Sequence, residues 1–288
     1  MNVLVLGASG MLGNTVFRLL SEDSQMRVFG SVRSAQTASF FDSELHEGLV
    51  QIEDLTDPND LQEILERVQP DVVVNCTSAR QVSNDDVFRV FAIYAALPQR
   101  LSHLCMKLGI RLIHFSSDGV FSGARGAYDE TDIPDATDLY GTAKLLGEVD
   151  GASQLSIRTS MIGHELHNKS GLLEWFLSQG DACRCYTRAI FTGLPTTELA
   201  ALVRDVILPR PELSGIYHVA STPISKFDLL SMVAREYSKT IDISPDDSVA
   251  IDRSLSAERF RLATGYVAPE WSQLLRQMRT YKSGLVRH

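Results

Sequence analysis

The chain lacks any apolar run long enough to span a bilayer. Near its start there is no basic segment and no small-residue cleavage site, because Met1-Asn-Val-Leu-Val-Leu6 runs straight into a glycine turn. Neither a membrane span nor export is expected, and a cytoplasmic protein is. Cysteine is sparse: Cys76, Cys105, Cys183 and Cys185 are too few and too scattered for a disulfide framework. Cys183-Arg-Cys185 and His103-Leu-Cys105 hold ligand-type residues close together, yet neither has a second pair at metal-ligand spacing. Incidental thiols acting as small hydrophobes account for them better, and no metal is expected. Basic residues are also outnumbered. With 27 Lys and Arg against 36 Asp and Glu, the net charge of −9 argues against nonspecific binding of nucleic acid or an anionic membrane surface. An anionic ligand would have to be held by local cations and helix N-termini. There is no internal repeat and no low-complexity segment.

The composition, 44% hydrophobic and 22% charged over 288 residues, suits one large core or a core with a smaller satellite domain. Val3-Leu-Val-Leu6 is a short apolar run ended by glycine, and Met11 to Leu20 follows with helical periodicity, giving strand, turn and helix. The pattern repeats with strands at Arg27–Val32, Val50–Ile52, Asp71–Asn75 and Ile110–Phe115. Helices are expected at Leu61–Val68 after Pro58, at about Asp85–Leu108 with Pro98 kinking or dividing it, and at Leu139–Val149. Such alternation implies an α/β fold, a doubly wound parallel sheet covered on both faces. The pattern becomes irregular after Arg158. Residues 1–160 are therefore expected to form a dinucleotide-binding domain, and 161–288 a smaller domain against the carboxyl edge of the sheet. Ile216-Tyr-His-Val219 still reads as a strand, so some later segments are expected to return to the first domain.

Three glycines, Gly7, Gly10 and Gly13, stand at spacings of three directly after the first strand. Each has a mechanical reason in a dinucleotide site: a tight turn, backbone approach to a pyrophosphate, and close packing of helix on strand. A site that prefers NAD usually places a carboxylate at the end of the second strand for the ribose hydroxyls. Here that stretch is Gly30-Ser-Val-Arg33, without an acid. Arg33, helped by Ser31 and Ser34, suits the 2′-phosphate of NADP, although a solvated surface arginine is the simpler alternative. Asp54-Leu-Thr-Asp57 offers a carboxylate to an adenine amino group, and is equally well explained as a turn and helix cap before Pro58.

Tyr140 and Lys144 are four positions apart on a helix and so project from one face, close enough for the cation to stabilise a phenolate. The spacing alone is weak, because lysine is common. The order of the glycine run, Ser117 and the Tyr140/Lys144 pair raises its weight and points to a hydride-transfer site.

These segments, together with Asn75-Cys-Thr-Ser78, Phe115-Ser-Ser-Asp-Gly-Val-Phe121, Tyr140-Gly-Thr-Ala-Lys-Leu-Leu-Gly-Glu148 and Ile157-Arg-Thr-Ser160, resemble the extended short-chain dehydrogenase/reductases. Within them the chain looks most like the branch that reduces dTDP-4-dehydrorhamnose, and Gly193-Leu-Pro-Thr196, Gly215-Ile-Tyr-His-Val219 and Ser225-Lys-Phe227 extend the resemblance over nearly the whole chain. The resemblance implies Ser117 as the carbonyl-binding hydroxyl, Tyr140 as proton donor and Lys144 as anchor of the nicotinamide ribose. It implies a cofactor cradle of Gly7, Ser9, Gly10, Met11, Leu12, Gly13, Arg33, Asp54, Leu55, Cys76, Thr77 and Ser78, holding NADP(H) in preference to NAD(H). Asp118, Met161, Lys169, Trp175 and Arg188 are expected on the substrate side, with Arg158 and Arg184 as further cations for a nucleotide diphosphate, and Tyr186 stacking on a base or filling the core. Phe176 is expected in the core.

Several residues depart from the resemblance. The sugar-nucleotide dehydratases carry an Asp-Glu pair where this chain has Asp118-Gly119, so dehydratase chemistry is not expected. The reductase branch usually has Tyr at Gly119 and Trp at Met161, and many relatives place an asparagine near Tyr94. The expected activity is NADPH-dependent reduction of a nucleotide-linked 4-keto-deoxysugar for surface polysaccharide synthesis. The alternatives are an epimerase that retains NAD and a noncatalytic regulatory subunit. A homodimer is left open.

Overall fold

The computed structural model describes residues 1–78, 86–166 and 170–285. The first half contains β1 (Asn2–Leu6), α1 (Met11–Ser21), β2 (Arg27–Val32), α2 (Ala35–Ala38), β3 (Leu49–Gln51), α3 (Pro58–Val68) and β4 (Val72–Asn75). It continues through α4 (Val87–Phe91), a π-helical turn (Ala92–Ala96), α5 (Leu97–Leu108), β5 (Arg111–Phe115), α6 (Leu139–Leu146) and β6 (Gln154–Arg158). The second half holds β7 (Met161–Ile162), α7 (Leu172–Leu177), β8 (Ala182–Phe191), β9 (Leu194–Pro195), α8 (Thr196–Leu202) and a second π-turn (Val203–Ile207). It ends with β10 (Gly215–His218), β11 (Ile224–Ser225), α9 (Lys226–Glu236), β12 (Asp242–Asp252), α10 (Glu258–Thr264) and α11 (Trp271–Leu285).

Seven strands form one sheet in the order β10-β6-β5-β4-β1-β2-β3, with every pairing parallel. Parallel strands need crossovers, and the helices that supply them cover both faces. Alternation along β1 shows the two sides. Val3 and Val5 pack with Val16, Phe17 and Leu20 of α1, whereas Leu4 and Leu6 pack with Leu61, Ile64 and Leu65 of α3 and with Leu97 and Leu101 of α5. All four β1 side chains have no exposed surface, and each such burial contributes on the order of 1.5–3 kcal/mol. The strand order reverses between β1 and β4, and the crevice opens there, at the carboxyl ends of the strands.

β10 pairs with β6, so the chain beyond residue 160 returns to the large sheet before leaving it again. Two features were not visible in the sequence. β6 supplies a full sheet strand through Gln154–Arg158, and β8 and β12 form a smaller sheet with β11 in the stretches that read as irregular. β12 is exposed at most positions, with Ile243, Asp246, Val249, Ile251 and Asp252 partly buried, and its register with β8 shifts between Asp246 and Ala250. A half-exposed strand of Asp, Ser and Pro carries too little apolar periodicity to read as one.

The long helix expected to end at Leu108 is divided as Pro98 requires, through the π-turn just before it. The helix expected to reach Val149 stops at Leu146, where the Gly147 N–H closes it by donating to the Ala143, Lys144 and Leu145 carbonyls.

Candidate active site

The glycine turn explains its own composition. Gly7 has φ +78°, and a Cβ there would stand 3.1 Å from the Cys76 carbonyl oxygen, while one at Gly13 would stand 2.1 Å from the Gly7 oxygen. Bulk at either position would push α1 away from β1 and β4. Gly13 thus packs helix on turn and does not line the cleft, contrary to its place in the expected cradle. The turn is held by Ser31, whose Oγ accepts the Gly7 amide at 2.9 Å and whose carbonyl accepts the Ala8 amide at 3.1 Å. Ser31 is therefore committed to the turn, and Ser34 to a hydroxyl contact with Thr37 at 3.0 Å. Ser31 nevertheless lines the cleft, and its hydroxyl keeps its own proton to donate. Arg33 itself is exposed and lines the cleft at the end of β2.

The cleft has a volume of about 560 Å³, within the range of small-molecule and cofactor sites. Of the expected cradle, Gly7, Ser9, Gly10, Met11, Leu12, Arg33, Asp54, Leu55, Cys76, Thr77 and Ser78 all line it, as do Ser117, Tyr140, Lys144 and Met161. At its floor, α1 begins with no side-chain cap at Gly10 and no acid in its first turn. The first helical amides have no intrahelical acceptors, so they and the helix dipole present a positive end suited to a pyrophosphate.

The Asp54–Asp57 segment divides its labour. Asp57 caps α3 by accepting the Asn59 amide at 2.7 Å, while Asp54 faces the cleft and accepts the Thr56 amide at 2.9 Å and its hydroxyl at 2.7 Å. Partial burial raises the Asp54 carboxyl, but the Thr56 bonds outweigh it and hold the group below the usual carboxylate range.

On the opposite wall, Asp138 caps α6 by accepting the Gly141 amide at 2.9 Å, which sets Tyr140 in the first turn and Lys144 one turn on. Tyr140 is 40% exposed and Lys144 only 6%, so the phenol meets the opening and the ammonium lies behind it. Lys144 Nζ donates to the Phe115 carbonyl at 2.7 Å. Burial pushes its ammonium down to about 8, against the opposing pull of the Glu148 carboxylate. Burial likewise pushes the Cys76 thiol well above its ordinary value, leaving it a neutral wall of the cleft. Ser117 Oγ accepts the Gly119 amide at 3.0 Å and donates to Asp118 at 3.2 Å.

The expected substrate residues are not brought together. Met161 lines the cleft. Asp118 lies just outside its lining, where burial pushes the carboxyl up against the pull of Arg253 and of hydrogen bonds with Ser117 and Ser160. Trp175 on α7 and Arg188 on β8 are away from the cleft, because α7 turns Phe176 inward and the exposed residues of β8 alternate with its buried Cys185 and Ala189. Lys169 lies outside the described residues. Arg184 and Tyr186 are exposed on β8, and Arg184 faces Asp246 at 3.5 Å. Arg158 is buried and held by both oxygens of Glu148, at 2.7 and 2.8 Å, so it is no cation for a diphosphate. Phe176 is in the core, as expected.

Thr159, Ser160, Glu165, Leu166, Phe88 and Arg89 also line the cleft. Thr159 and Ser160 follow directly on β6, a signal present in the order strand then polar pair. Phe88 and Arg89 lie on α4 and Glu165 and Leu166 in irregular chain, and no motif in the sequence marks any of the four as lining the cleft. Among the described residues there is no cluster of three metal-ligating side chains and no helix long and apolar enough to cross a membrane.

Comparison with known proteins places this geometry in a family. The chain is 31% identical over 236 residues to a probable low-salt glycan biosynthesis reductase of Haloferax volcanii, a match covering 77% of this chain and 75% of that one. It is 30% identical over 148 residues to the methionine adenosyltransferase 2 subunit beta of Bos taurus, covering 51% of this chain and 41% of that one. Among solved structures, a hypothetical dTDP-4-dehydrorhamnose reductase from Sulfolobus tokodaii superposes with a TM-score of 0.76 at 26% identity, covering 94% and 98% of the two chains. A dTDP-4-dehydrorhamnose reductase from Bacillus anthracis, solved with NADP, has a TM-score of 0.78 at 19% identity, covering 97% and 99%, and so shares the fold. The family model of the RmlD substrate binding domain matches residues 1–280, and the chain belongs to that family.

Proposed function

We propose that the protein is an NADPH-dependent reductase of the 4-keto group of a nucleotide-activated deoxysugar. The observation that carries this reading is the convergence of Ser117, Tyr140 and Lys144 on one wall of a cleft whose floor is the open N-terminus of α1. Residues 1–160 bind the dinucleotide in this reading, and much of the chain from 161 onward closes over the sugar. The cradle fits such a cofactor: uncapped first-turn amides for the pyrophosphate and Arg33 beyond β2 for a 2′-phosphate. NADPH, when bound, supplies the hydride. Ser117 then holds the ketone oxygen through its hydroxyl as negative charge develops there. Tyr140 protonates the resulting alkoxide, and Lys144, cationic below about pH 8, lowers the cost of the phenolate left behind.

The similarity to the Bacillus anthracis and Haloferax volcanii reductases supports this reading, as does the missing acid at the end of β2. A cytoplasmic setting and a role in surface polysaccharide synthesis belong to the same proposal. The similarity to a subunit named as part of a methionine adenosyltransferase, over half of this chain, keeps a noncatalytic role as the second reading. Incubation with NADPH and a panel of 4-keto sugar nucleotides, followed by loss of nicotinamide absorbance, separates them. Oxidation of NADPH by at least one of these ketones is expected. Binding of NADPH without turnover across the panel would favour the noncatalytic role, and co-purification with tightly held NAD would favour an epimerase.

A further inference from the structure

Tyr94 occupies the centre of the catalytic wall. It is buried, with 5% of its surface exposed. The Lys144 ammonium lies over its ring at 4.9 Å from the centroid, and its ring stands perpendicular to that of Tyr140 at 5.3 Å. Its hydroxyl meets Ser78 Oγ at 3.2 Å. The chain commits specific residues to this placement. Pro98 has no amide to offer the Tyr94 carbonyl four residues earlier, and the π-turn Ala92–Ala96 takes up the mismatch, closing with the Leu97 amide on the Ala92 carbonyl. The released Tyr94 carbonyl sits against Gly147 at the end of α6, where a Cβ would stand 1.9 Å from its oxygen. The helix carrying Tyr140 and Lys144 is thus seated on the backbone of Tyr94 as well as on its ring.

We propose that Tyr94 is a positioning residue, whose ring holds the Lys144 ammonium on its face and fixes the Tyr140 ring beside it. The aromatic face attracts a desolvated cation, which water no longer stabilises at this depth. The other groups around Lys144 are Cys76 just after β4, Glu148 in the turn after α6, and His114 and the Phe115 carbonyl on β5. Burial and the nearby ammonium keep His114 well below its ordinary value and hence neutral. Glu148 is bonded to Arg158 and Ser116. The ring of Tyr94 is the neutral partner that adds to the Phe115 carbonyl in keeping Lys144 charged.

The inference rests on the reductase reading for its kinetic consequence only, so the test has two arms. In cofactor-free protein, the ¹³Cε resonance of Lys144, assigned by its loss in Lys144→Met, reports the titration of the ammonium directly. Tyr94→Leu is expected to lower that midpoint by about one pH unit, and pentafluorophenylalanine at position 94, which keeps the shape but reverses the ring's charge distribution, by a similar amount. Tyr94→Phe is expected to leave it in place. In the second arm Tyr94→Leu lowers kcat about tenfold or more at pH 8, with KM for NADPH within about twofold, and Tyr94→Phe restores kcat. A midpoint unmoved by the fluorinated residue, or a Tyr94→Phe protein that titrates as Tyr94→Leu does, overturns the proposal. Should Tyr94→Leu fail to fold, the fluorinated variant decides. Absence of any ketone reduction by the unsubstituted protein would remove the reductase reading and leave the titration arm to judge Tyr94.

Discussion

The Tyr140 ring lies against the backbone of Gly119, so closely that a Cβ at Gly119 would stand 2.9 Å from Tyr140 Cε1 and 3.1 Å from Ser117 Oγ. The two groups assigned to the ketone oxygen therefore share a neighbour that has no side chain. Gly119→Ala is expected to lower turnover about tenfold or more by moving the phenol or the hydroxyl, with NADPH affinity kept, since displacement of about 1 Å at a catalytic centre costs up to a hundredfold. Steady-state kinetics with a fluorescence titration of NADPH checks it. A kcat equal to that of the unsubstituted protein would show that Tyr140 tolerates the displacement.

Tyr140→Phe removes the proton donor and keeps the ring packing on Tyr94 and Gly119. Turnover is expected to fall by on the order of a hundredfold or more, the usual worth of a positioned acid, without loss of NADPH binding. Unchanged turnover would take Tyr140 out of the chemistry.

Lys144 gives two opposed pH dependences. Its ammonium is held at about 8, below its ordinary value, so activity that needs the cation should decline as pH rises through about 8. The burial cost is present in full below that pH and is relieved as pH rises toward the ordinary lysine value, because the unfolded chain then holds the extra proton. Lys144→Met should abolish most turnover yet raise stability at pH 7 by about 1–3 kcal/mol, a gain that fades above pH 8. Thermal melting at pH 7 and pH 9.5 measures the difference. A lower melting temperature for Lys144→Met at pH 7 would mean that its bond to the Phe115 carbonyl outweighs the cost of burying the charge.

Arg33→Ala is expected to weaken NADPH by about tenfold or more and NADH by little, since a guanidinium reads the 2′-phosphate as a paired, charge-assisted contact. Competitive binding of the two cofactors tests this. Equal weakening would assign Arg33 to the rim of the cleft and leave the phosphate to another group.

The buried pair of Arg158 and Glu148, both 5% exposed at the side chain, ties the end of β6 to the turn after α6, and Ser116 donates to the same carboxylate at 2.7 Å. Arg158→Met leaves that carboxylate buried without its cation and should cost about 3–5 kcal/mol, whereas the double change Arg158→Met with Glu148→Leu should recover much of the loss. Chemical denaturation of the three proteins provides the comparison. A single variant as stable as the parent would show that water reaches Glu148.

Part of the architecture could be read residue by residue. β1 and β4 are apolar runs buried on both faces, so hydropathy alone marks them, and the three-residue spacing of Gly7, Gly10 and Gly13 reports a local turn. β8 and β12 could not be read, because they are half-exposed strands whose pairing partner is about sixty residues away, and pairing over that distance leaves no local period. The substrate side followed the same division. Arg158, Arg188 and Trp175 have the chemistry of ligand-binding residues, but whether a side chain reaches the cleft depends on the face of its strand or helix.

By itself the sequence determined the order of the α/β units, the glycine turn, and the one-turn spacing of Tyr140 and Lys144, all consequences of local geometry over a few residues. Tertiary structure decided which groups meet: Arg158 with Glu148 rather than with a ligand, Ser31 with the Gly7 amide, and Tyr94 between Lys144 and Tyr140. Contacts across tens of residues depend on how packed layers bring helix faces together, and neither the spacing nor the type of residue encodes that.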